Sequence, residues 1–128
     1  MIKSQVTYDR KEQTAQCGEP VLRLCKEQKP STIVNPVINQ LIHSATSIGA
    51  NYMEANNASS PKDFRNKIYI CKKEAQETKH WLRMLRVALT NDSHTIVALQ
   101  QEVSELTLIF QKIISTLEKK RLTTSIEH

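Results

Sequence analysis

One stretch constrains this chain more than any other: SPKDFRNKIYICKKEAQETKHWLRMLRVAL, residues 60–89. Within it Phe64, Ile68, Cys71, Ala75, Thr78, Leu82, Leu85 and Leu89 recur at alternating steps of four and three. That spacing puts all eight on one side of an α-helix, as in the seam of an antiparallel bundle. The start is equally well marked. Ser60 is an N-cap residue, Pro61 falls at the first helical position, and Asp63 brings a carboxylate three residues after the cap. A helix over 61–89 is predicted.

The same periodicity recurs on both sides. Ile38, Leu41, Ala45, Ile48, Tyr52 and Ala55 make a seam for a helix over about 35–56, with Asn35 as cap and Pro36 at its first position. Ile96, Leu99, Val103, Leu106, Phe110, Ile113 and Leu117 make another for a helix over about 93–121, with Asn91-Asp92-Ser93 as turn and cap. Lys119, Lys120 and Arg121 then fall at its C-terminal end, where cations complement the helix dipole. A first helix reads over about 7–28, with Tyr8, Ala15, Val21, Leu22, Leu24 and Cys25 apolar. Cys17-Gly18-Glu19-Pro20 interrupts it, because an interior proline removes a backbone donor and crowds the carbonyl of Gln16. A kink or two shorter helices is expected there. Lys29-Pro30 ends the element. The connections are short, and no strand-like alternation persists. The expectation is one all-α domain over 1–128, an antiparallel up-down-up-down four-helix bundle.

Several classes find no support. No run of about twenty apolar residues could span a bilayer, and the N-terminal sequence lacks the basic start and apolar centre of a signal peptide. The three cysteines, Cys17, Cys25 and Cys71, have no zinc spacing and lie in helical patterns, so reduced thiols and a cytoplasmic location are expected. With only Gly18 and Gly49 there is no glycine-rich phosphate loop, and no cofactor is implied. Cys71 is a seam residue, and His43 and His94 lack partners in sequence, so no nucleophile is suggested. Glu77-Thr78-Lys79-His80 is an E-x-x-H, but a carboxylate-bridged metal site needs two such motifs plus two further glutamates facing inwards. There is one copy, with His80 on the outer face.

The net charge of +5 is unevenly placed. Residues 59–92 carry eight basic and four acidic groups, whereas 93–128 balance at four each. Within the third helix Arg65, Lys72, Lys79 and Arg86 recur every seven residues, and Lys62, Lys73 and Arg83 widen that line. At about 1.5 Å per residue the line is roughly 30 Å long. Such a ridge can neutralise several phosphates of RNA or DNA. The plainer alternative is a solvated flank paired with acids of a neighbouring helix, since no aromatic group interleaves for base stacking.

The opposite flank carries Ile70, Trp81 and Met84, either a subunit interface or the margin of a broad core. Antiparallel pairing brings Glu54 near Lys67 with Asn51 close by. With Glu74 and Glu77 they form a candidate polar network that would fix the register of helices two and three, at more than the worth of an exposed ion pair.

Ser47-Ile48-Gly49-Ala50-Asn51, Glu54-Ala55, Ser60, Asp63-Phe64, Lys67, Glu74-Ala75, Glu77 and Trp81-Leu82 together resemble the four-helix-bundle proteins named for open reading frames in intervening sequences of bacterial 23S ribosomal RNA genes. The motif spans residues 44–86; the flanking helices fit by pattern, and Gly18 and Pro20 depart from the family's unbroken first helix. The resemblance implies a cytosolic homo-oligomer, a pentameric ring of bundles. It also implies distant kinship with the basic accessory proteins of diversity-generating retroelements, which partner a reverse transcriptase and nucleic acid. The family itself has no established biochemical activity. The expected function is a non-enzymatic oligomeric scaffold or accessory factor for RNA or DNA. The alternatives are a protein-interaction adaptor whose basic line meets an acidic partner, and a carboxylate metalloenzyme.

Overall fold

A computed structural model describes residues 17–127, with side chains as far as residue 122. The part of the expected first helix that precedes residue 17 lies outside the described residues. Four helices are seen: α1 over 17–26, α2 Val34–Asn56, α3 Pro61–Ala88 and α4 Ser93–Glu127. No strand occurs among the described residues.

In α1 the backbone runs helically through Gly18 and Pro20, so no break falls there on the C-terminal side. Cys17, Val21, Leu24 and Cys25 are buried, but Leu22, expected in the apolar set, is exposed. Gly18 lies over α2: a Cβ there would stand 3.7 Å from the Ala45 carbonyl oxygen and 3.9 Å from Thr46 Cα. The helix ends two residues before the expected boundary. The Gln28 carboxamide closes the end, its Nε2 donating to the Leu24 carbonyl (3.0 Å) and to Asp92 Oδ2 (3.0 Å).

Asn35 is not the cap of α2. The first helical residue is Val34, two before the expected Pro36, and Ser31 satisfies the first donors, with Oγ accepting from the backbone N–H of Ile33 and Val34 (3.2 and 3.3 Å). Asn35 instead reaches back, its Oδ1 accepting from the Ser31 N–H at 3.2 Å. Pro36 sits comfortably as the third helical residue, because first-turn N–H groups have no carbonyl to meet inside the helix. The start of α3 is as predicted: Ser60 Oγ accepts from the Asp63 N–H at 3.1 Å, with Pro61 following.

Six residues beyond the predicted end of α4 are helical. No glycine or proline stands after Arg121 to stop it. Lys119, Lys120 and Arg121 therefore lie inside the helix, and its last turn carries no cation, so the dipole account of that cluster fails. The seam also shifts near this end, where Ile114 rather than Ile113 is buried.

The core is the predicted set of seams. Leu41, Ala45, Ile48, Ile68, Cys71, Ala75, Leu82, Leu85, Ile96, Val103 and Phe110 are fully enclosed. Contacts of α2 with α3 run in opposite senses, Glu54 meeting Lys67 near the turn and Ser44 meeting Thr78 farther along. Those of α3 with α4 do the same, Lys72 reaching Gln111 and Tyr69 reaching Glu118. The rings of Tyr52 and Phe110 bridge α2 to α4, with centroids 6.2 Å apart. One polar pair is buried among the seams. Thr78 Oγ1 lies 3.0 Å from Ser44 Oγ and 2.8 Å from the Glu74 carbonyl, while the Ser44 hydroxyl donates to the Leu41 carbonyl (3.2 Å).

Candidate nucleic-acid interface

The four cations spaced by sevens lie along the flank of α3 that adjoins α4. Lys79 and Arg86 are exposed, as are Lys62, Lys73 and Arg83, and Arg65 and Lys72 are half-buried. Lys72 Nζ donates to Gln111 Oε1, which sets the register of the antiparallel pair. Stepping by sevens in opposite directions then brings Glu118 beside Arg65, Ser104 beside Lys79 and Val97 beside Arg86. Only one of these four facing positions is acidic. Glu118 is moreover already engaged: its Oε1 accepts from the Tyr69 hydroxyl at 3.0 Å, and its Oε2 lies 3.7 Å from Arg121 Nη1. Among the described residues Lys62, Lys79, Arg83 and Arg86 form no ion pair. For these four the acid-pairing part of the plainer expectation is absent, while their exposure fits its other part, a solvated flank.

Tyr69 was not among the expected site residues, yet an aromatic group does interleave. It is 43% exposed and stands four residues after Arg65 and three before Lys72. The signal was available in the spacing, since positions three and four apart share a helix face. Its hydroxyl is pushed above its usual pKa, first by the hydrogen bond to Glu118, then by burial and the Glu118 charge; Arg65 and Arg121 oppose the shift.

The other flank faces α2. Trp81 packs against the core from its margin and meets the exposed His80 ring edge-on at 4.8 Å; Ile70 and Met84 are half-buried. The expected polar network is two separate groups. Lys67 Nζ meets Glu54 Oε2 at 2.7 Å, as expected, but the Glu54 side chain is 59% exposed, so this is a surface pair without the energetics of a buried one. Asn51 takes no part, its Nδ2 donating to the Ser47 carbonyl of its own helix at 2.8 Å. Glu74 and Glu77 lie further along. Glu74 Oε2 is enclosed with no hydrogen-bond partner, and burial raises the carboxyl pKa, with the Glu77 charge adding and His43 and Lys73 subtracting.

That arrangement has a measurable consequence. A carboxyl with an elevated folded-state pKa contributes stability only while protonated; the contribution is complete below its ordinary value of 4.5 and is lost as pH rises through the elevated one. The Glu74→Gln protein should therefore melt higher than wild type at pH 7, by the equivalent of about 1 kcal/mol or less because solvent reaches the rest of the side chain. The difference should shrink towards pH 4. A lower melting temperature at pH 7 would contradict it.

The thiols of Cys17 and Cys71 are pushed up to about 12 and that of Cys25 to about 11, in each case chiefly by burial. None is a thiolate at neutral pH. Among the described residues no three His, Cys, Asp or Glu side chains are grouped to hold a metal ion, and no helix is long and apolar enough to cross a membrane.

A family model described as 23S rRNA-intervening sequence protein matches residues 12–112. The chain belongs to this family. Membership of the 23S rRNA-intervening sequence proteins is supported by a solved structure, a protein with unknown function of the S23 ribosomal protein family from Bacteroides thetaiotaomicron VPI-5482. It is 31% identical, with a TM-score of 0.73 over 82% of this chain and 97% of that one. No curated protein matches. The family's shape is thereby shared, and its role is left to the chemistry of the surface.

Proposed function

We propose that this 23S rRNA-intervening sequence protein is a non-enzymatic, homo-oligomeric scaffold or accessory factor that binds RNA or DNA along α3. Arg65, Lys72, Lys79 and Arg86 contact successive phosphates, flanked by Lys62 and Arg83. The Lys72–Gln111 contact carries this reading: stepping by sevens from it sets no carboxylate of α4 opposite Lys72, Lys79 or Arg86, and Lys79 and Arg86 are exposed. An exposed row of this kind costs little to keep in water, but it leaves a line of positive potential free to attract a polyanion. Ile70, Trp81 and Met84 supply an apolar patch for a neighbouring copy, and repetition around a ring multiplies weak phosphate contacts. A reverse transcriptase or another acidic protein would meet the same row by the same electrostatics.

The test is a titration of labelled single-stranded RNA and DNA at two salt concentrations, with light scattering for the assembly. Four phosphate contacts at a slope of about −0.7 each predict affinity about 50-fold weaker at 200 mM than at 50 mM salt. Absence of binding at 50 mM overturns the nucleic-acid role and leaves an acidic protein as the partner. A monomer at micromolar concentration overturns the ring.

A further inference from the structure

We infer that Tyr69 is a base-stacking platform set into the cationic row, and that the site therefore takes single-stranded rather than duplex nucleic acid. This rests on the phosphate-binding reading above and goes beyond it by naming the form of the ligand.

Three observations converge on Tyr69. Among the described residues it is the exposed member of the large aromatics: Tyr52 and Phe110 are buried, and Phe64 and Trp81 pack against the core. Its place in the row is between two phosphate-binding cations, about 6 Å along the helix axis from Arg65 and about 4.5 Å from Lys72. Its orientation is fixed, because the hydroxyl donates to Glu118 at 3.0 Å and Glu118 lies 3.7 Å from Arg121. A ring already held in place loses little freedom when a base settles on it. The acid that anchors it does not repel the backbone, since Arg65 and Arg121 outnumber Glu118 at that point.

The choice of ligand follows from where bases are. In a duplex they are stacked on one another, so a side chain on a helix surface meets phosphates and base edges but never a base face. In a single strand a base can turn out of the backbone and lie on an aromatic face, which is worth about 5- to 150-fold in affinity per base. Duplex would engage the cations alone.

The experiment compares a fifteen-nucleotide single strand with a fifteen-base-pair duplex at 50 mM salt, using the full chain and two variants. Tyr69→Leu removes the face; Tyr69→Phe keeps the face and removes the tether to Glu118. Expected is a loss of about tenfold in single-strand affinity for Tyr69→Leu, a smaller loss for Tyr69→Phe, whose ring is kept but no longer tethered, and no change in duplex affinity for either. Equal losses for both strands, or none for Tyr69→Leu, overturn the stacking role while leaving phosphate binding in place. A wild-type protein that binds neither oligonucleotide overturns both readings. Melting curves that coincide for the three proteins exclude unfolding as the cause.

Discussion

The Phe110→Ala protein should lose about 3–5 kcal/mol of stability. Phe110 is fully enclosed in α4, and its ring meets that of Tyr52 from α2 at 6.2 Å. Truncation removes the transfer energy of the ring and opens a cavity between helices whose backbones are held apart by their other neighbours, so little collapse can fill it. A domain of this size has only about 5–15 kcal/mol in total, so the loss is a large part of it. Urea unfolding followed by circular dichroism checks this, with Leu108→Ala as control. Leu108 lies on the same helix but is 71% exposed, and its removal should change stability by about 0.5 kcal/mol or less. Equal effects for the two variants would mean that α4 does not pack as described.

Replacing Arg65, Lys72, Lys79 and Arg86 together by glutamine should flatten the salt dependence of nucleic-acid binding and cut affinity at 50 mM salt by on the order of 10³. Each cation that neutralises a phosphate releases a counterion, and the four contributions add because the residues lie a heptad apart. The fold should be unaffected, since two of the four are exposed and Lys72→Gln keeps an amide opposite Gln111. The control removes the same charge elsewhere, from Arg23, Lys26, Lys29 and Lys112, all exposed and off the row. If the control loses as much, net charge rather than the line governs binding, and the assignment of the row is wrong.

The fold was legible because its signals are local and redundant. In α3 every seam residue from Ile68 to Leu85 is buried, and Ser60, Pro61 and Asp63 mark the start without any help from tertiary contacts. The pairing of Glu54 with Lys67 followed from the short turn alone. Reading failed where two local solutions compete. Ser31 and Asn35 can each cap a helix, and which does depends on a hydrogen bond running from one to the other. Ile113 and Ile114 both continue a three-four pattern, and only the drift of a long helix decides between them. Tyr69 was passed over for another reason: it belongs to neither the seam nor the line of sevens, and its significance depends on Glu118, far away in sequence. Whether α4 supplied countercharges to the row was likewise open until the contact of Lys72 with Gln111 fixed the alignment.

The hydroxyl pair of Ser44 and Thr78 bears on a hazard common to molecules built this way. Where apolar residues repeat every seven positions, one rod can slide along its neighbour by a full repeat and still find grease for grease. Such a slide would part the two hydroxyls, setting Thr78 against Val37 in one direction and Ser44 against Leu85 in the other. Two small alcohols in a dry interior thus act as a locating pin, holding α2 and α3 to a single lengthwise setting.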